Sequence, residues 1–215
     1  MKSSPFNELA EAYDSWFDEE GKLIFATEVR ALQSVLASLP EPWLEIGVGS
    51  GRFAQVLGIG TGLDPSGRLL EIAKKRGIET CQGRGEERFF DAKAFGAVFL
   101  IVTLCFVDSP LDVLREVNRI LREKGKLILG MVLRESPWGQ LYLKKKEQGD
   151  RFYKHATIHS YREIVDILNR TGFVIEKIVS TLFQTPGEVK EIETPREYYS
   201  SDAGFVVVIA RKDVC

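Results

Sequence analysis

With 215 residues, of which 44% are hydrophobic and 28% charged, the chain has the size and composition of one soluble globular domain able to bury a substantial core. Its formal net charge of −2 removes the electrostatic motive for general nucleic-acid binding, and its longest uncharged apolar run, AVFLIVTLCFV (97–107), is far too short to span a bilayer. Cys81, Cys105 and Cys215 are too widely spaced, and odd in number, for a disulfide framework or a metal knuckle.

The start, MKSSPFNELAEAYD, lacks the apolar centre of a signal peptide, so a cytoplasmic location is expected. Many charged residues beside only three Asn and two Met lean towards a heat-adapted source. A helix is expected from Ser4, with Pro5 in its first turn and Phe6, Leu9, Ala10, Tyr13, Trp16 and Phe17 at helical spacing, until Gly21 breaks it. A second follows over 23–38, before Pro40 and Pro42. Strand and helix signals then alternate: strand 43–47, helix 52–57, strand 59–64, helix 66–77, and strands at 78–82 and 97–102. The 97–102 strand is apolar throughout, as a strand covered on both faces should be.

Ser109 and Pro110 open the next helix, whose stripe is Leu111, Leu114, Val117 and Leu121 before Gly125; KLILGMV (126–132) is a strand. Residues 134–159 read as irregular. Ser160 and Glu163 form a capping box that opens a helix to Gly172, and strands 173–181 and 204–211 close the chain. This alternation predicts an α/β fold: a Rossmann-like, doubly wound, mostly parallel seven-stranded sheet. Its last two strands, with no helix between them, should pair antiparallel. No internal repeat or linker divides the chain, which reads as one domain over 1–215.

A ligand in such a sheet belongs at the carboxyl ends of its strands, where LEIGVGSGRF (44–53) ends the first. Gly47, Gly49 and Gly51 let a ligand approach the main chain, although a tight turn that binds nothing would use the same residues. Gly49-Ser-Gly51-Arg-Phe-Ala54 also satisfies the dinucleotide pattern G-x-G-x-x-A. That pattern wants an acid roughly 20 residues on, whereas Asp64 lies 13 beyond Gly51. Glu45 inside the strand would also repel a pyrophosphate. S-adenosylmethionine reverses the electrostatics, because it has no phosphate and carries an ammonium and a sulfonium. Glu45 then favours the ligand, and Asp64 can accept from two ribose hydroxyls.

E-x-G-x-G-x-G, GLDPS (62–66), QGRGEERFF (82–90), AFGAVFLIVTLCFVD (94–108) and LREVNRILREKGKLIL (114–129), in this order, resemble successive motifs of class I S-adenosylmethionine-dependent methyltransferases. The resemblance is strongest to the small-molecule branch that includes quinone-biosynthesis enzymes. It implies that Gly47, Gly49 and Gly51 line the methionine end of the cofactor, that Asp64, followed by Pro65, holds the ribose, that Gly85 and Glu86 border the adenine, and that Ile101 approaches the reacting end. The parts implied are N-terminal helices or lid (1–40), cofactor core (43–132), a substrate-covering segment (134–159) and a C-terminal helix and strand pair (160–215). The sequence departs from the family at Arg84, where an adenine-contacting acid is usual, at Phe95-Gly96 in place of Phe-Asp, and at Lys124-Gly125 in place of two glycines.

Methyl transfer from an activated sulfonium asks a protein mainly for alignment, so few obligatory catalytic residues are expected and none is assigned. Tyr13 and Trp16, with Phe17, are candidates for a lid over substrate or for ordinary core; Trp138 and Tyr142 are lesser candidates. His155 is a candidate substrate contact and His159 packs ahead of its helix. Neither offers a metal pattern, so no metal is expected. Lys144–Lys146 reads as a solvated face and Cys105 as core. TLCFVD replaces the [DN]-P-P-[YF] motif of nitrogen-methylating nucleic-acid and protein enzymes, which with the charge balance points to a small-molecule acceptor. No membrane or nucleic-acid partner is expected, and the oligomeric state is not legible. Two other readings stay open: an NAD(P)-dependent oxidoreductase, and an S-adenosylmethionine-binding protein without transferase activity.

Overall fold

Seven segments form one sheet in the computed structural model, which describes residues 5–213. Ser4 and Cys215 lie outside the described residues. The strands are β1 (Trp43–Ile46), β2 (Thr61–Asp64), β3 (Glu79–Gln82), β4 (Phe95–Ile101), β5 (Leu121–Met131), β6 (Phe173–Thr181) and β7 (Phe205–Lys212), in the order β3-β2-β1-β4-β5-β7-β6. The first five run parallel, and β7 pairs antiparallel with both β5 and β6. Strand order reverses between β1 and β4, which opens a crevice at their carboxyl ends. This is the Rossmann-like, doubly wound, mostly parallel sheet with an antiparallel last pair that the alternation of elements predicts.

The helices are α1 (Ala10–Trp16), α2 (Lys22–Gln33), α3 (Arg52–Leu57), α4 (Gly67–Lys75), α5 (Pro110–Ile120), α6 (Pro137–Glu147) and α7 (Tyr161–Arg170). They cover both faces of the sheet. In β4, Ala97, Phe99 and Ile101 face one core, shared with Leu32 of α2 and Phe53 of α3; Val98 and Leu100 face another, shared with Val113 of α5 and Leu168 of α7. A strand buried on both sides at every residue is why this run carries no polar alternation. None of the described helices is long and apolar enough to cross a membrane.

Four differences from expectation are the largest. The first helix is split into a 3-10 turn at Pro5–Asn7 and α1. The second ends at Gln33, with a 3-10 turn at Leu36–Ser38. α5 stops at Ile120 because Leu121 already pairs with Phe95 as the start of β5. Residues expected to be irregular contain α6, opened by Ser136, which accepts from the Gly139 N–H at 3.0 Å, and by Pro137. The Phe95-Gly96 departure has a steric cause: a Cβ at Gly96 would lie 2.2 Å from the Pro40 carbonyl oxygen. Only glycine lets the loop before β1 cross β4 this closely.

Candidate active site

β1 ends at Ile46, and the chain turns at once at Gly47, whose φ of +75° belongs to the left-handed region. Its N–H donates to the Leu63 carbonyl at 2.7 Å, which ties the turn to β2. A Cβ here would meet the Thr103 side chain at 2.3 Å, so Gly47 carries both a conformational and a steric requirement. A Cβ at Gly49 would point at the Tyr13 ring, 3.5 Å away. Gly47 and Gly49 line the cleft beside β1, whereas Gly51 packs towards Ala73 and Ile78 of the α4 layer.

Asp64 ends β2 next to this turn. Its carboxylate accepts from the Gly49 N–H at 3.0 Å and the Ser66 N–H at 2.7 Å. Burial pushes its carboxyl up to about 6, against the lowering effect of those two donors. It lines the cleft, together with Pro65. Glu45 is 1% exposed and does not line the cleft. Strand alternation turns it away from Leu44 and Ile46, toward the backbone of Ala54. Burial, and then the nearby charge of Asp64, raise its carboxyl well above the usual range.

α1 is held over the glycine turn by a charged clamp. The Arg52 guanidinium donates to Asp14 at 2.8 Å and to Asp18 at 2.7 Å. Arg76 donates to Asp14 at 2.8 Å and to the Ser50 carbonyl at 2.6 Å. Burial opposes ionisation of Asp14, but the Arg52 and Arg76 hydrogen bonds outweigh it and hold the carboxyl well below the usual carboxylate range. A lowered folded-state pKa means stability that is present above the ordinary value of 3.8 and lost as pH falls below it. Asp14→Asn should therefore cost about 1.5–3 kcal/mol of unfolding free energy at neutral pH. Denaturant titrations should show that deficit shrinking in acid, and an equal deficit at both pH values would rule the clamp out as its source. Asn7 adds a second tie, accepting from the Ser66 hydroxyl at 2.6 Å.

The cleft encloses about 1340 Å³. Single-ligand pockets run ~300–1,000 Å³, so this volume admits two molecules side by side. Gly85, Glu86 and Ile101 line it with the glycines and Asp64, and Tyr13, Trp16 and His155 line it as well. Glu86 accepts from the Asp108 N–H at 3.0 Å, and Arg84 pairs with Asp108 at 2.5 Å, so the departure at Arg84 is absorbed into a rim network. Val102, between Ile101 and Thr103, has φ +51°, a strained setting for a β-branched residue. Trp138, Tyr142 and Tyr153 form an aromatic wall, with the two tyrosine rings stacked at 4.2 Å.

Sequence reasoning passed over several lining residues. Lys145 lines the cleft with its ammonium 5.6 Å from the Tyr153 ring centre, and Lys146 donates to the Ala156 carbonyl at 2.6 Å, so this run is no simple solvated face. Pro186 and Gly187, from the β6–β7 connection, also reach the rim. Glu28 of α2 is 6% exposed and lines the cleft. Its position between Ile24 and Leu32, four residues away on either side, was the available signal: a carboxylate inside an apolar stripe.

Residues 44–129 match the model of a methyltransferase domain family. A crystal structure from Thermotoga maritima, of an S-adenosylmethionine-dependent methyltransferase named as a possible histamine N-methyltransferase, is 39% identical. It superposes with a TM-score of 0.90, over 97% of this chain and 98% of that one. An uncharacterized protein of Methanocaldococcus jannaschii is 36% identical over 96% of this chain and 98% of its own. A demethylmenaquinone methyltransferase of Thermotoga maritima is 32% identical over 46% of this chain and 47% of its own.

Proposed function

We propose that this chain, which belongs to the S-adenosylmethionine-dependent methyltransferase family, transfers the methyl group to a small-molecule acceptor held beside the cofactor in the same cleft. The observation that carries the reading is one cavity of about 1340 Å³ whose lining joins two unlike kinds of surface. One kind is main-chain approach at Gly47 and Gly49 with a buried carboxylate at Asp64; the other is the aromatic surface of Trp16, Trp138, Tyr142 and Tyr153. The first kind suits an adenosyl group with a cationic amino-acid tail, and the second an apolar or aromatic body.

S-adenosylmethionine supplies an electrophilic methyl on a sulfonium that is already activated. The protein's part is to hold and align. Asp64, fixed by Gly49 and Ser66, keeps acceptor lone pairs for the two ribose hydroxyls, with Pro65 beside it. Gly47 and Gly49 give the methionine end its main-chain contacts. Glu45 supports this turn from behind, and Gly51 holds α3 against α4. Gly85 and Glu86 border the adenine, and Ile101 closes the floor. Tyr13 and Trp16 on α1, and His155 on the covering segment, shield the acceptor from water and orient it. Residues 1–40 thus act as lid, 43–132 as cofactor core and 134–159 as cover.

Thermal-shift assays test the cofactor half. S-adenosylmethionine or S-adenosylhomocysteine at 100 times its dissociation constant should add ~2.7 kcal/mol. For a chain of this length that is roughly 5–10 °C of midpoint. A shift with NAD(H) and none with the sulfur cofactors would overturn the assignment of these residues. A labelled-methyl screen of amines, phenols, thiols and quinone precursors tests the acceptor half. Amines belong in it because the Thermotoga neighbour is named for possible histamine N-methylation. Labelling of protein or nucleic acid alone would refute a small-molecule acceptor.

A further inference from the structure

The side chain of Glu28 is a feature of the cleft that alignment of a cofactor does not explain. It lies on α2, 6% exposed, on the cavity wall with Ile24 one turn before it. Among the described residues its carboxylate takes part in no hydrogen bond and no ion pair. Tyr13, Tyr142 and Tyr153 lie within electrostatic range of it. Lys145, the lysine that lines the same cavity, sits against the Tyr153 ring and forms no pair with Glu28. A buried carboxyl without a partner is costly, and such groups are kept where a ligand completes them. Here the missing complement is a cation or hydrogen-bond donor on a body that fits between aromatic rings.

We propose that Glu28 recognises the acceptor, and that the acceptor is a primary or secondary amine on an apolar or aromatic body, whose ammonium pairs with the Glu28 carboxylate and passes one proton to it. The inference rests on the two-molecule reading of the cleft given above. The step balances: R–NH₃⁺ and carboxylate become R–NH₂ and carboxylic acid. The nitrogen lone pair so freed forms the N–CH₃ bond, while the C–S bonding pair leaves with sulfur and the positive charge passes to nitrogen. Burial pushes the Glu28 carboxyl up to about 8 in the ligand-free cleft, so this group takes up a proton more readily than an exposed carboxylate does. The aromatic faces of the wall add cation–π attraction for the same ammonium.

The test compares arylalkylamines with alcohols of the same shape, such as 2-phenylethylamine with 2-phenylethanol, by calorimetry on protein saturated with S-adenosylhomocysteine. In the wild type at least one amine should bind about thirtyfold or more tighter than its alcohol. Glu28→Gln keeps the shape and loses the charge; it should abolish that preference and leave S-adenosylhomocysteine affinity unchanged. Should that variant fail to bind S-adenosylhomocysteine, Glu28→Asp takes its place, and the amine preference should weaken without vanishing. No amine preference in the wild type, or a preference untouched by the substitution, overturns the proposal. Failure of S-adenosylhomocysteine to bind the wild type is a different result, which removes the cofactor assignment and this inference with it.

Discussion

Asp64→Ala should weaken S-adenosylmethionine binding by about 3 kcal/mol or more, a hundredfold or greater rise in Kd, while changing the stability of the ligand-free protein far less. The affinity loss follows from the proposed role of Asp64 as charged acceptor for the two ribose hydroxyls, each charge-assisted bond being worth ~1.5–3 kcal/mol. The small stability change follows from two opposed effects. Alanine leaves the buried N–H groups of Gly49 and Ser66 without their acceptor, at a cost of ~1–3 kcal/mol each. It also removes a buried charge whose carboxyl is pushed from 3.8 to about 6, worth roughly 3 kcal/mol in the other direction at neutral pH. The sign is worth stating: a carboxyl with a raised folded-state pKa binds its proton more tightly when folded. The ligand-free protein therefore loses stability as pH rises from 3.8 to about 6. Cofactor affinity runs the other way, because the ionised form is the better acceptor. Kd should fall as pH rises through about 6, and Asp64→Asn should flatten that dependence. Calorimetric titrations across this range check both; a Kd independent of pH in the wild type would place the ribose elsewhere.

Both of these effects come from residues that were visible in the sequence, and the reason is local. Asp64 ends an apolar strand and is followed by Pro65 and a capping Ser66, so chain position alone sets its place at the carboxyl edge of the sheet. The same holds for the glycine turn, the capping box of Ser160 and Glu163, and the antiparallel pairing of β7, all fixed by neighbours in sequence. Glu45 shows where this stops. Its presence in β1 was legible, but its orientation depends on which face α3 covers, and it lies behind the turn rather than in the cleft. α6 was lost for a related reason. Its cap, Ser136-Pro137, repeats the Ser109-Pro110 signal, but three consecutive lysines blur its apolar stripe, and its buried rings find their partners far along the chain, Trp138 against Gly204 and the Gln184 carbonyl and Tyr142 against Tyr153. The wall of the cleft is made from pieces far apart in sequence: Glu28, Trp138, Tyr153, Pro186. No local pattern announces such a meeting.

Gly47→Ala should destabilise the protein by about 3 kcal/mol or more and abolish most cofactor binding, whereas Gly58→Ala should cost only ~1 kcal/mol. The two glycines share the same backbone strain, with φ +75° and +77°, which for an L-residue costs ~1–2 kcal/mol. They differ in what surrounds them. A Cβ at Gly58 meets nothing within 4 Å, while one at Gly47 falls 2.3 Å from the Thr103 side chain. Thr103 cannot turn away cheaply, because it is β-branched and its Oγ1 donates to the Ile101 carbonyl at 3.0 Å. Nor can its backbone yield freely, since the preceding Val102 already has a left-handed φ. The turn must therefore shift, and it carries Gly49, the main-chain partner of Asp64, with it. For a chain of this length the stability loss is a fall in midpoint of roughly 6–12 °C. The double variant Gly47→Ala/Thr103→Ala separates the two causes. It should recover the part due to the Thr103 Oγ1 and Cγ2 contacts at 2.3 Å, and leave the milder approach to the Thr103 Cβ at 2.8 Å and the conformational part, a coupling of at least ~1 kcal/mol in the double-mutant cycle. Strict additivity of the two single changes would show that strain at Gly47, rather than its contact with Thr103, keeps this position glycine.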